Sequence, residues 1–126
     1  MKYRIIILLM FAAVQLSFAQ MVPDDIIQAF EKGNARQLAE YFNNNIEMEI
    51  LGEEYVTSKN QAARILQDFF KKHPPVSFKI TYEGVKKDSK YGLGTLKCRK
   101  DTFHVNLYFM EGRKEKTIYF LSIEKN

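Results

Sequence analysis

The chain has 126 residues, 46% of them hydrophobic and 27% charged, with a formal net charge of +4 at pH 7. That length supports one domain with a modest core, and the chain contains no internal repeat, low-complexity tract or linker rich in Gly, Ser or Pro. The single cysteine excludes an intrachain disulfide, and two isolated histidines beside it, at no ligand spacing, argue against a zinc site.

In chain order, Lys2 and Arg4 precede an apolar run from Ile5 to Val14, and Ser17-Phe18-Ala19 places small residues at a cleavage site. This reads as a secretory signal peptide over 1–19, too short and wrongly flanked for a stable membrane span. Cleavage after Ala19 leaves 107 residues, 20–126, as one domain, and loss of Lys2 and Arg4 lowers the formal charge to +2. The basic balance therefore belongs partly to the leader, and nucleic acid is not expected as a partner. The expected location is outside the cytoplasm, periplasmic or secreted.

Two short helices follow. Pro23 with Asp24 and Asp25 suits a helix start, Ile26, Ile27 and Phe30 form its apolar stripe, and Gly33 suits its end. Asn34 with Gln37 three residues on caps a second helix whose face carries Ala35, Leu38, Tyr41 and Phe42. Asn43-Asn44-Asn45 reads as a turn, and the alternation from Ile46 to Ile50 predicts a half-buried strand, with a short return strand over Glu54–Thr57.

The clearest element is a helix from Ser58 to His73. Ala62, Ile65, Leu66, Phe69 and Phe70 lie on one stripe, and Ser58 with Gln61 forms a capping box. Arg64, Asp68 and Lys72 have ion-pair spacing, and Pro74-Pro75 stops the helix. Burying Ile65, Leu66, Phe69 and Phe70 contributes about 6–12 kcal/mol gross, so the helix requires a broad apolar surface. After Pro75 the period becomes two. Val76, Phe78, Ile80 and Tyr82 alternate with polar residues. Tyr91–Lys100 forms a second strand bent at Gly92 and Gly94, and Phe103, Val105, Leu107 and Phe109 share one face of a third. A turn at Glu111-Gly112-Arg113 leads to a last strand over Thr117–Ile123. These strands read as an antiparallel meander.

The order helix, helix, strand, short strand, long helix and four strands resembles the nuclear transport factor 2-like superfamily, an α+β cone with a cystatin-like fold. Within it, the chain resembles a small secreted bacterial family of uncharacterised function. The matching positions are Gly33-Asn34-Ala35, Leu38 with Tyr41-Phe42, Gln61-Ala62, Leu66 with Asp68-Phe69-Phe70, Pro74, Phe78, Gly84, Tyr91, Gly94 and Leu96. The resemblance implies a curved antiparallel sheet wrapped around an N-terminal helix pair and one long helix. It also implies a Gram-negative envelope or secreted setting, and no known activity.

Enzymes of this superfamily place an acid, a His or a Tyr inside the cone. The residues expected inside here are apolar, and a general base needs a titratable group in the pocket. No catalytic residue, metal ligand or cofactor is therefore nominated. His73 reads as a helix C-terminal cap and His104 as part of an outward polar strand face. Cys98 reads as a small buried hydrophobe. Gly92-Leu93-Gly94 reads as a strand bend. The basic residues Lys86, Lys87, Lys90, Lys97, Arg99 and Lys100 read as a solvated hairpin.

Tyr41, Phe70, Tyr82 and Phe109 are the expected lining of a small apolar ligand pocket. Tyr108, Met110, Tyr119 and Leu121 fall opposite the phenylalanine face and are expected to pair two copies as a homodimer. The expectation is an exported, non-catalytic binding or interaction domain. The alternatives are an isomerase- or dehydratase-like enzyme of the same fold and a structural homodimer of the envelope.

Overall fold

The computed structural model describes residues 21–111 and 116–126, so the signal peptide expected over 1–19 and most of the turn expected at Glu111-Gly112-Arg113 lie outside the described residues. Helices α1 (Asp24–Lys32) and α2 (Ala35–Ala39) come first. They are followed by β1 (Phe42–Ile50), β2 (Glu53–Ser58), α3 (Lys59–Lys72), β3 (Pro75–Lys86), β4 (Ser89–Cys98), β5 (Thr102–Glu111) and β6 (Lys116–Lys125).

Local chemistry sets the helix ends. Gly33 takes φ 62°, and the N–H groups of Gly33 and Asn34 return to the carbonyls of Phe30 and Ala29 at 3.1 and 2.8 Å. A side chain here would be strained, and a Cβ would also lie 3.1 Å from the Pro75 ring. The Asn34 carboxamide accepts the Gln37 N–H at 3.0 Å, and Ser58 Oγ accepts the Gln61 N–H at 3.3 Å. His73 closes α3, its N–H donating to the Phe69 carbonyl at 2.9 Å. No ion pair joins Arg64, Asp68 and Lys72 among the described residues. The helix is held by its apolar stripe, with Ala62, Leu66, Phe69 and Phe70 buried.

The strands form one curved six-stranded sheet in the order β2-β1-β6-β5-β4-β3. β3 to β6 form the expected antiparallel meander, and β1 pairs β2 antiparallel. β1 and β6, however, pair in parallel. Asn43-Asn44-Asn45 belongs to β1 and not to a turn. All three are exposed, and the pairing with β6 shifts register between Phe42 and Glu47. A polar run at an irregular stretch of strand carries the same composition as a loop.

The concave face holds a row of rings. Phe30 of α1 stacks on Phe78 of β3 with centroids 4.5 Å apart, and meets Phe70 edge-on at 6.3 Å. Phe70 meets Phe69 at 5.7 Å, and Phe69 meets Phe103 at 5.2 Å. With Leu38, Leu66, Leu96, Val105, Leu107, Phe109, Ile118, Leu121 and Ile123 they form one buried cluster. Cys98 lies in it, 4% exposed, and burial pushes its thiol pKa up, with Asp101 adding repulsion. Ser122 is the one buried polar or charged residue among those described.

Glu83 ties the segment before α1 to the edge of the sheet. Its carboxylate accepts the N–H groups of Met21 and Val22 at 3.1 and 3.2 Å. Val22 is fully buried and sits over Gly92, where a Cβ would come within 2.8 Å of its methyl.

Candidate functional site

The four residues expected to line one pocket are not brought together. Phe70 and Phe109 are core, 6% and 0% exposed. Tyr41 is half-buried and donates its hydroxyl to Asp25 at 3.0 Å, tying α1 to the chain entering β1. Tyr82 is 56% exposed on the outer face of the sheet. The reason is a bulge. Ile80 pairs with Gly94 and Tyr82 with Leu93, so Thr81 is an extra residue that inverts the alternation.

A second bulge corrects the expected dimer face. Phe109 pairs with Ile118 and Tyr108 with Phe120, leaving Tyr119 as the extra residue. Leu121 then pairs with inward-facing Leu107 and is fully buried, and Phe120 takes its place outside. Tyr108, Met110 and Tyr119 remain on the outer side.

The result is a ladder of aromatic rings across four strands. Tyr82 of β3 and Tyr91 of β4 have centroids 5.8 Å apart, and Tyr91 and Tyr108 of β5 also 5.8 Å. Tyr108 meets Phe120 of β6 at 5.4 Å and Tyr119 at 6.3 Å, both edge-on. Tyr91 lies over Gly84, where a Cβ would fall 2.5 Å from the phenol, which is why glycine stands there. Tyr119 donates its hydroxyl to Ser89 Oγ at 2.7 Å. Sequence reasoning left Tyr91 and Phe120 out of the site. Tyr91 was legible, because Gly92, Gly94, Leu96 and Cys98 alternate as one face and put Tyr91 and Leu93 on the other. Phe120 was not, because nothing local marks the bulge at Tyr119.

The Tyr91 hydroxyl is hydrogen-bonded to that of Tyr82. This bond, then partial desolvation, then repulsion from Tyr82 and Tyr108 raise its pKa above the usual tyrosine value of 10.0. A raised pKa means that the fold favours the neutral phenol. The associated stabilisation is complete below the unfolded value and is lost as pH rises through the folded one. Titration of the Tyr91 ring by NMR is expected to give a midpoint above the ordinary tyrosine value. In Tyr82→Phe, which removes the bond and the neighbouring phenolate, the midpoint moves down. An unchanged midpoint would contradict this account.

Between the second half of α3 and the β1–β2 hairpin lies a cleft of about 270 Å³, lined by Ile50, Ile65, Phe69, Glu53, Tyr55 and His73 among others. The Tyr55 hydroxyl donates to Glu53 at 2.7 Å, a bond that raises its pKa, with smaller effects of desolvation and the Glu53 charge. The His73 ring meets Phe69 at 4.9 Å and Phe103 at 5.0 Å, and its Nδ1 stands 3.7 Å from Asp101, beyond hydrogen-bond range. Asp101 also lies 3.5 Å from Lys125 Nζ. This arrangement closes the end of α3 and orients no proton-transfer pair. Among the described residues no group of three or more His, Cys, Asp or Glu could hold a metal ion. No described helix is long and apolar enough to cross a membrane.

A curved sheet folded over a helix pair and one long helix defines a nuclear transport factor 2-like, cystatin-like α+β domain. Within that class, the profile of the family "Domain of unknown function (DUF4783)" matches residues 23–124, and the chain belongs to this family. The crystal structure of a DUF4783 family protein from Bacteroides ovatus superposes with a TM-score of 0.79 at 25% identity, covering 86% of this chain and 98% of that one. A family protein from Bacteroides uniformis gives 0.77 at 27% identity, covering 83% and 97%. An NTF-2 like protein of unknown function from Silicibacter pomeroyi gives 0.60 at 13% identity, covering 82% and 88%, a likeness of fold alone. No curated protein matches the chain.

Proposed function

We propose that the protein is an exported, non-catalytic interaction domain that works through its outer sheet face, and that a second copy of the chain covers this face. The observation that carries the reading is the tyrosine–phenylalanine ladder, in which Tyr82 is 56% exposed, with Met110 46% exposed on the same side of the sheet.

Charge supports self-pairing. On the outer face, one flank of the sheet carries Glu47 and Glu49 on β1 and Glu54 on β2, and the opposite flank carries Lys79, Lys86 and Lys97 on β3 and β4. None of these six makes an ion pair with another described residue. Glu49 stands directly opposite Glu54, an unfavourable pairing in an isolated sheet. A twofold axis running along the central strands lays each acidic flank on the partner's basic flank and stacks ladder on ladder. The buried cluster, apolar but for the Cys98 thiol, supports the non-catalytic part of the reading. The apolar leader with Ser17-Phe18-Ala19 supports export.

Light scattering after size exclusion tests the pairing. The protein is expected to be a dimer with a Kd below about 100 µM, roughly −5.5 kcal/mol. Tyr108→Glu, which puts a carboxylate in the middle of the ladder, is expected to give a folded monomer. A wild-type monomer at millimolar concentration overturns the pairing. Export is tested by fractionating the source cells and sequencing the N-terminus, which is expected to begin at Gln20 outside the cytoplasm.

A further inference from the structure

On the helix side, away from the sheet's outer face, a cleft of about 890 Å³ opens between the α1–α2 turn and the first half of α3. Its floor is made of small residues: Gly33, Ala35, Ala39 and Ala63. Ala35 and Ala39 are buried, so no long side chain fills the space. Around it stand four cations, Lys32, Arg36, Lys59 and Arg64, and one carboxylate, Glu40. The carboxamides of Asn60 and Gln67 also line it.

The cations are not used in ion pairs among the described residues, neither with Glu40 nor with any other. One stands where a helix disfavours it: Lys59 is the first residue of α3, which has no acid in its first turn to offset the charge. Lys32 and Arg36 fall in the last turns of α1 and of the short α2. A net charge of +3 is thus gathered around a space with a small-residue floor, and a bound anion would offset the mutual repulsion of these cations. Ser58 takes the first-turn N–H of Gln61, and the net charge around the cleft is that of the side chains.

We propose that this cleft binds a small anionic sugar, a hydroxyl-bearing molecule with one phosphate or carboxylate group. The charge is recognised by Arg36, Arg64, Lys59 and Lys32. The volume exceeds what a bare oxyanion needs, and the Asn60 and Gln67 carboxamides offer both donors and acceptors suited to hydroxyls. This site is independent of the outer-face pairing, and the two stand or fall separately.

The test is NMR titration of the purified protein at about 10 mM ionic strength, where the Debye length is roughly 30 Å. The probes are glucose 6-phosphate, glucuronate, inorganic phosphate and neutral glucose. Either anionic sugar is expected to shift the amides of Gly33, Asn34, Ala35 and Ala63, more tightly than inorganic phosphate, and glucose to leave them unmoved. Arg36→Glu with Arg64→Glu is expected to weaken binding at least about tenfold, the equivalent of one charge-assisted hydrogen bond. Glu40→Gln, which removes the only carboxylate, is expected to tighten binding, a gain that a misfolded variant could not produce. The proposal is overturned if neither anionic sugar shifts these amides or if glucose shifts them equally. Inorganic phosphate binding as tightly as the sugars, or the double variant binding like wild type, overturns it as well.

Discussion

Phe30→Ala is expected to lower the stability of the domain by about 3–5 kcal/mol, as large aromatic truncations in closed cores do. Phe30 is fully buried and is the ring where helix and sheet meet, stacked on Phe78 and edge-on to Phe70. Removing it deletes its own burial and both ring contacts, and leaves a void bounded by two different layers that cannot close together. Domains of this size have about 5–15 kcal/mol in total, so the variant folds with a small margin. The midpoint of thermal unfolding is expected to fall by at least about 12 °C, and the denaturant midpoint to fall with little change in slope. A loss under about 1 kcal/mol would show that the concave face is loosely filled.

Gly94→Ala is expected to cost about 1–3 kcal/mol, the usual penalty for overpacking a filled core. Two effects compete. Alanine loses less backbone entropy on folding than glycine, which favours the substitution by roughly 0.5–1 kcal/mol. Against this, the added Cβ would lie 2.6 Å from two atoms of the Phe78 ring and 3.0 Å from the Lys79 carbonyl oxygen. Phe78 is 2% exposed and held by its stack on Phe30, so the ring cannot swing aside and the clash wins. Equilibrium unfolding checks the sign, and a neutral or stabilising result would refute the packing described here. The two substitutions are also coupled. In a Phe30→Ala background Phe78 gains room, so Gly94→Ala is expected to cost less there, a non-additivity of at least about 0.5 kcal/mol.

Much of this fold is legible in the residues themselves. Asn34 and Ser58 announce two helix starts, Gly33 announces a helix end, and the stripe from Ala62 to Phe70 marks the long helix. The alternation Phe103, Val105, Leu107, Phe109 gives the inner face of β5 without error. What sequence reasoning misses is phase and partnership. Period-two patterning is blind to an inserted residue, so the bulges at Thr81 and Tyr119 put Tyr82 and Leu121 on faces opposite to those expected. Nor does local pattern say which strands lie side by side when they are far apart in sequence, and the parallel pairing of β1 with β6 is invisible to it. The ladder was half legible for the same reason: Tyr108 and Tyr119 do lie on the outer side of the sheet, whereas Leu121 is buried and Phe120 stands there instead. The cationic cleft draws its members from three separate helices. No single stretch of sequence is unusually basic there, and only the packing of α2 beside α3 brings Arg36 and Arg64 to one rim.

The side-by-side arrangement of β1 and β6 has a bearing on how the molecule comes into being. Of the six strands of this sheet β6 comes last along the chain, yet it occupies the third of six places, wedged between β1 and β5. Until it emerges, the hairpin of β1 and β2 has no neighbour on its inner edge and the rest of the sheet is a separate fragment. Joining the two halves requires closing a loop of most of the domain, a step whose entropic cost precedes its reward and which slows folding. A polypeptide with this wiring cannot complete its sheet until β6 is available, so the domain as a whole forms only once that strand has emerged.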